Sequence, residues 1–166
     1  MIRNTEVLTA EAFAPFGDVI EINPSKPHFS INYGNTERFH DLAKVDVTNG
    51  GGRAGISIFR SKPLPMPIQI RLLERHPLSS QAFFPLSPHP YMIVVAPPGD
   101  LNEDAIRIFV AKVGQGVNYH AGTWHHFCLA LEEESDFLVV DRIGVGPNCD
   151  EALLINSFEI GLSKKL

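Results

Sequence analysis

The chain has 166 residues, about the size of one domain spanning 1–166 and enough to bury a core. With 44% hydrophobic and 20% charged residues, a net charge of −5 and no basic block, it argues against a nucleic-acid surface, which needs clustered Lys and Arg. No stretch approaches the ~18 apolar residues of a membrane span, and the opening "MIRNTEVLTAEAF" lacks the apolar core of a signal peptide, so a cytoplasmic protein with no membrane partner is expected.

Thirteen glycines and thirteen prolines cut the chain into short pieces, as in many-stranded β proteins. "TAEAF" predicts one helical turn, capped by Thr9 and stopped at Pro15. Strand-like segments follow: "GDVIEI", "HFSINY", "LAKVDV", "GISIFRS", "PIQIRLLERH", "QAFFPL", "YMIVVA", "IRIFVAKV", "HHFCLALE", "DFLVVDRI" and "LLINSFEI". Each is rich in Val, Ile, Leu or Phe, and turn residues separate them. "TNGGGRAG" reads as a flexible loop, because it lacks the Lys-Ser/Thr of a phosphate-binding loop. "LNEDAIRIFVAK" opens with helical spacing and is read as a strand from Ile106 onward. Cys128 and Cys149 form no C-x-x-C pair and no disulfide framework, and read as reduced thiols. Lys164 and Lys165 read as a solvated tail. Roughly ten short strands and few helices predict a sandwich or barrel.

Two stretches carry chemistry. "GVNYHAGTWHH", from Gly116 to His126, holds three of the seven histidines beside the only tryptophan. Imidazoles this dense, in what reads as a glycine-punctuated turn, suggest metal binding, proton transfer or a polar pocket. Upstream, Glu74 and His76 are two apart, so on a strand they share a face. Their apolar flanks turn that face inward, and the turn "PLSS" is expected to set Gln81 beside them on the neighbouring strand. His125, from a distant strand pair, completes a four-residue cluster inside a small barrel. His126 points to the other side of its strand, and Trp124 reads as a core plug. His28 and His89, near prolines, are assigned no role.

The spacing Glu74-x-His76 … Gln81 and His120-x-Gly122-x-x-His125 resembles the two short motifs of the cupins. Those motifs hold a metal with three histidines and a glutamate, whereas this chain offers two histidines, a glutamate and a glutamine. Five blocks in order, "INYGNTERFHDLA", "ISIFRSKP", "LERHPLSSQAFFPL", "QGVNYHAGTWHH" and "DFLVVDR…NCDE", resemble the ureidoglycolate lyase family of allantoin breakdown. That resemblance implies a mainly β, cupin-like barrel of jelly-roll type with one or two short helices. It also implies a homodimer that releases urea and glyoxylate from ureidoglycolate.

The reaction is an elimination that needs a base, an acid and a carboxylate clamp. Glu74, His76, His120 and His125 are the candidates for proton transfer. Asn32, Arg38 and His40 in the polar block, with Gln81 and Arg142, are the candidates for substrate binding, and arginine matches a carboxylate through its planar fork. Arg75 is a rival clamp. Glu74, His76, Gln81 and His125 are the candidate ligands of a divalent metal. The family resemblance points to nickel, while the ligand types also suit zinc or manganese, and no organic cofactor is expected. Gln81 in place of a carboxylate lowers the charge of the site by one and weakens attraction for a hard cation. Two further readings remain open: another metal-dependent cupin enzyme, such as an oxygenase or isomerase, and a non-catalytic cupin that binds a small acid.

Overall fold

The structure, a computed structural model, describes residues 4–161; the Lys164–Lys165 tail lies outside them. Strands dominate. A seven-stranded sheet runs in the order β1 (Glu6–Val7), β9 (Arg107–Ala111), β8 (Tyr91–Ala96), β11 (Trp124–His125), β6 (Ile68–Arg75), β14 (Asp150–Ile160), with β12 (Leu129–Ala130) also paired to β8. A five-stranded sheet runs β2 (Gly17–Ile20), β10 (Gly116–Tyr119), β7 (Gln81–Pro85), β13 (Ser135–Ile143), β5 (Arg53–Ser61). The two sheets pack face to face as a cupin-like sandwich. They do not hydrogen-bond into one cylinder, so the expected β fold holds without a closed barrel. Among the described residues no helix is long and apolar enough to cross a membrane.

Side-chain alternation explains the packing. On the five-stranded sheet Val19, Val117, Phe83, Phe137 and Val139 face inward, where they meet Tyr91, Ile93, Val95 and Phe109 of the other sheet. The helical turn α1 (Ala10–Phe13) adds Phe13 to this core, and Thr9 caps it by accepting from Ala12 N at 3.2 Å, as expected. "YMIVVA" is buried at every position. Its odd residues enter the sandwich core, and Met92, Val94 and Ala96 enter a second cluster with Ile68, Ile70, Phe158 and Ile160. A strand covered on both faces reads as an unbroken apolar run. Trp124 lies in this second cluster, its indole N–H donating to Gly99 O at 2.9 Å, so the core-plug expectation is met.

Three expectations are corrected. "LAKVDV" is not a strand: Lys44 N donates to Asp18 and Asp46 N to Ser80 Oγ, and Lys44 O accepts from Asn118. Side chains thus satisfy that backbone in place of a ladder. "GVNY" is strand β10, not part of a turn. Its glycine and that of β2 are there for closeness: a Cβ on Gly17 would lie 1.9 Å from Asn118 O, and one on Gly116 2.6 Å from Phe83 O. Finally, β6 and β7 belong to different sheets. The turn after His76 therefore crosses the sandwich, and Gln81 faces Glu74 and His76 from the opposite sheet rather than sitting beside them.

β3 (His28–Ile31) and β4 (Thr36–Phe39) form a separate two-stranded hairpin with Phe29, Ile31 and Tyr33 exposed. Gly17→Ala is expected to lower the free energy of unfolding by about 3 kcal/mol, the upper end of an overpacking cost, because its Cβ meets backbone that cannot move alone. Urea unfolding of the two proteins measures it.

Candidate active site

One end of the sandwich core is polar. His125 on β11 pairs in register with Glu74 on β6 and, on its other side, with Val95. His76 follows directly after β6. Glu74, His76 and His125 offer ligand atoms that all lie within 4.8 Å of one another. The two imidazoles are 5.2 Å apart between centroids. From the facing sheet Tyr119 stacks on His125 with centroids 4.3 Å apart and planes 2° from parallel. Gln81 is the register partner of Tyr119, which sets its amide at the same end of the core.

Hydrogen bonds fix what the histidines present. His76 Nδ1 lies 2.6 Å from Asn148 O, and His125 Nδ1 lies 3.1 Å from His126 O. A carbonyl oxygen only accepts, so each Nδ1 must carry the hydrogen. In a neutral imidazole the lone pair is then at Nε2. Both Nε2 atoms are buried and make no hydrogen bond to any described residue. Asn148 also holds the turn after His76, accepting from Leu78 N at 2.7 Å and donating to Ser79 Oγ at 2.8 Å.

Burial sets the charges. It pushes the His125 pKa down to about 3, with the neighbouring His76 adding to the effect, so His125 is neutral at physiological pH. Burial also raises the Glu74 carboxyl, and Glu151 beside it pushes the same way while His76 opposes. Glu74, His76 and His125, each offering one ligand atom within 4.8 Å of the others, form a donor set that fits a divalent cation, and His125 Nδ1 lies 3.9 Å from Glu74 Oε1. Each ring's Nδ1–H anchored on a carbonyl is the arrangement that orients metal-binding histidines. Equally, the set can accept and pass a proton.

The other expected residues lie elsewhere. His120 contacts Asp18 at 3.2 Å and lines a cavity of about 200 Å³ with Lys44, Asp46 and Ser80, apart from the histidine cluster. Arg142 is buried, but its guanidinium donates to Asn49 O, Gly50 O and Val145 O, at 2.9, 3.2 and 3.4 Å. It pins loops, and alternation along β13 turns it away from the core face. Arg75 pairs with Asp150 at 2.9 Å and stacks over Trp124. Asn32, Arg38 and His40 sit on or just after the hairpin, where Asn32 donates to Thr36 Oγ1 and His40 contacts the Phe29 ring. The structure does not bring them to the Glu74 cluster. His126 turns its Nδ1 to Phe127 O, away from His125.

Two residues at the site were not anticipated. Tyr119 stood inside the supposed turn. Asp141, next to Arg142, shares the inward face of β13 with Phe137 and Val139, and accepts from Gln81 Nε2 at 3.4 Å. The alternation in "FLVVDR" was the available signal.

A mainly β, cupin-like sandwich with a buried histidine–carboxylate cluster at one end defines the class of the protein. A family model described as ureidoglycolate lyase matches residues 2–161. Relatives named ureidoglycolate lyase include one from Pseudomonas syringae pv. tomato, 59% identical over 88% of this chain and 86% of its own length. One from Burkholderia cepacia is 56% identical over 90% of this chain and 85% of its own. One from Azotobacter vinelandii is 54% identical over 90% of each. The chain belongs to the ureidoglycolate lyase family.

Two outcomes follow. Arg142→Ala is expected to cost about 2 kcal/mol of stability, from lost charged hydrogen bonds that tie the loop carbonyls of Asn49, Gly50 and Val145 to β13, with little change in KM; thermal unfolding and steady-state kinetics separate the two. In metal-free protein, native His125 stays neutral down to a pH of about 3, whereas the unfolded residue takes up a proton near pH 6.5. The unfolded state therefore binds more protons between these values, and this residue's contribution to stability falls as pH drops through that window. The raised Glu74 acts in the opposite sense, losing stability as pH rises through its native pKa. Denaturant titrations at several pH values, on wild type and His125→Asn, isolate the histidine: the variant is expected to show the weaker loss on acidification.

Proposed function

We infer that the chain is a ureidoglycolate lyase that eliminates urea from ureidoglycolate and leaves glyoxylate. The observation that supports it most is the close cluster of Glu74, His76 and His125, with a carboxyl of raised pKa and two buried, unpartnered Nε2 atoms, in a chain of this family. The substrate carries a hydroxyl, a carboxylate and a ureido group on one carbon. Its hydroxyl loses a proton, the C–O bond becomes the carbonyl of glyoxylate, and the C–N bond breaks. The departing ureido nitrogen gains a proton and leaves as urea, so the net proton transfer is from oxygen to nitrogen and no water is consumed.

Glu74 is suited to carry that proton, because burial moves its carboxyl toward the neutral range where a general acid–base works well. His125 is not, since a proton on it is too costly. His76 and His125 instead present Nε2 toward the substrate hydroxyl and orient it. Glu74, His76 and His125 would also hold a divalent cation, which when bound would lower the pKa of the hydroxyl. Nickel is the proposed ion, with zinc or manganese compatible with the same ligands.

Arg38 remains the proposed carboxylate clamp, with Asn32 and His40 beside it. That role requires an assembly in which the hairpin lies over a site. Exposed Phe29, Ile31 and Tyr33 on that hairpin support a homodimer. A cytoplasmic location completes the proposal.

Purified protein given ureidoglycolate is expected to form glyoxylate and urea in equal amounts without ammonia. Ammonia in step with glyoxylate, and no urea, would falsify the lyase reading. His76→Ala, His125→Ala and Glu74→Gln are each expected to lower kcat by roughly 10²–10⁴-fold, the usual size of a lost acid–base or orienting contribution. Chelation followed by titration with divalent ions, read by calorimetry, is expected to show binding that His125→Ala abolishes.

A further inference from the structure

Two buried acceptors at the polar end of the core remain outside the mechanism. Gln81 is only 6% exposed, and its Oε1 has no hydrogen-bond partner among the described residues. Asp141 Oδ1 is likewise buried and without a partner. The two side chains are joined at 3.4 Å, Gln81 Nε2 donating to Asp141 Oδ2, so the amide nitrogen is engaged and the amide oxygen is left over. Both stand on the inward face of the five-stranded sheet, in one lateral row with Tyr119, whose ring covers His125. Next to Asp141 in the ladder is Gly55. A Cβ there would lie only 2.4 Å from Ile143 and at an ordinary contact distance, 3.8 Å, from Asp141 Oδ1, so the glycine makes room for the Ile143 side chain beside the pair.

Two acceptors side by side, one of them a carboxylate, suit a ligand group that only donates there. A substrate carboxylate has no hydrogen to give and would be repelled. A terminal amide nitrogen carries two N–H groups that diverge to two acceptors. We propose that Gln81 and Asp141 form the ureido subsite, Gln81 Oε1 and Asp141 Oδ1 each accepting one N–H of the terminal amide nitrogen of the substrate. This deepens the proposed function and rests on it. The nitrogen that must gain a proton is the other ureido nitrogen, bonded to the reacting carbon. Fixing the far nitrogen on the five-stranded sheet turns the reacting carbon toward Glu74, His76 and His125 on the seven-stranded one. Asp141 is in this account a specificity-determining residue.

The experiment compares ligands with and without a ureido group. N-carbamoylglycine carries the ureido and carboxylate groups but cannot react, and glyoxylate carries only the carboxylate end. Their affinities are measured by calorimetry for wild type, Asp141→Asn and Gln81→Met, with turnover of ureidoglycolate followed in parallel. Asp141→Asn exchanges an acceptor for a donor; Gln81→Met removes the amide oxygen at similar volume. Each variant is expected to weaken N-carbamoylglycine at least 10-fold while glyoxylate stays within twofold, and the rise in KM is expected to exceed the fall in kcat. Equal loss of both ligands, or no loss of either, in a folded variant overturns the subsite, as does wild type that binds glyoxylate but not N-carbamoylglycine. Gln81→Met decides alone should Asp141→Asn fail to fold. Active wild type with undiscriminating variants sinks this inference alone, whereas wild type that forms no glyoxylate sinks the lyase reading itself.

Discussion

Each of the two histidines at the heart of the site donates Nδ1–H to a backbone carbonyl, His76 to Asn148 and His125 to His126. Everything chemical about the site depends on that constraint. Were either ring in the other tautomer, its Nε2 would carry a hydrogen and could neither bind a cation nor accept from a hydroxyl. The carbonyls are held in turn by the fold. His126 N donates to Val94 O of the central strand, and Asn148 is tied through its side chain to Leu78 and Ser79. Ladder and turn hydrogen bonds, which any β protein must make, thus set the protonation pattern of an active site.

The sandwich contributes a division of labour. The seven-stranded sheet supplies Glu74 and His125 as direct register partners, with His76 just beyond. The five-stranded sheet supplies Tyr119, Gln81 and Asp141 in one row. A substrate held between the sheets, as proposed, would meet lone pairs of nitrogen on one side and oxygen acceptors on the other. Burial at this end of the core shifts the pKa values of its groups. Glu74 and His125 shift in opposite directions for the same reason, since burial disfavours the charged form of each.

Much of this was legible in the sequence. The shared face of Glu74 and His76 was expected from strand alternation, and the strand at "YMIVVA" from its apolar composition. Gln81 was expected beside Glu74 and His76 and stands on the opposite sheet, because nothing in "PLSS" distinguishes a hairpin from a crossover between sheets. Arg142 was selected for its chemistry when its position on β13 made its neighbour Asp141 the inward residue. His120 was drawn in by spacing, while its ring turns to Asp18. The six polar residues around the hairpin were conspicuous for a different reason: that segment pairs only with itself, a tertiary fact without local signature.

The tautomer claim can be read directly. Nitrogen-15 NMR of histidine-labelled, metal-free protein near neutral pH distinguishes Nδ1–H from Nε2–H and from imidazolium. His76 and His125 are both expected to carry hydrogen on Nδ1, His125 as a neutral ring with a bare Nε2, and the Nε2 signals of both are expected to shift on titration with a divalent cation or N-carbamoylglycine. A bare Nδ1 on either ring, or a His125 that is charged at neutral pH, would contradict it.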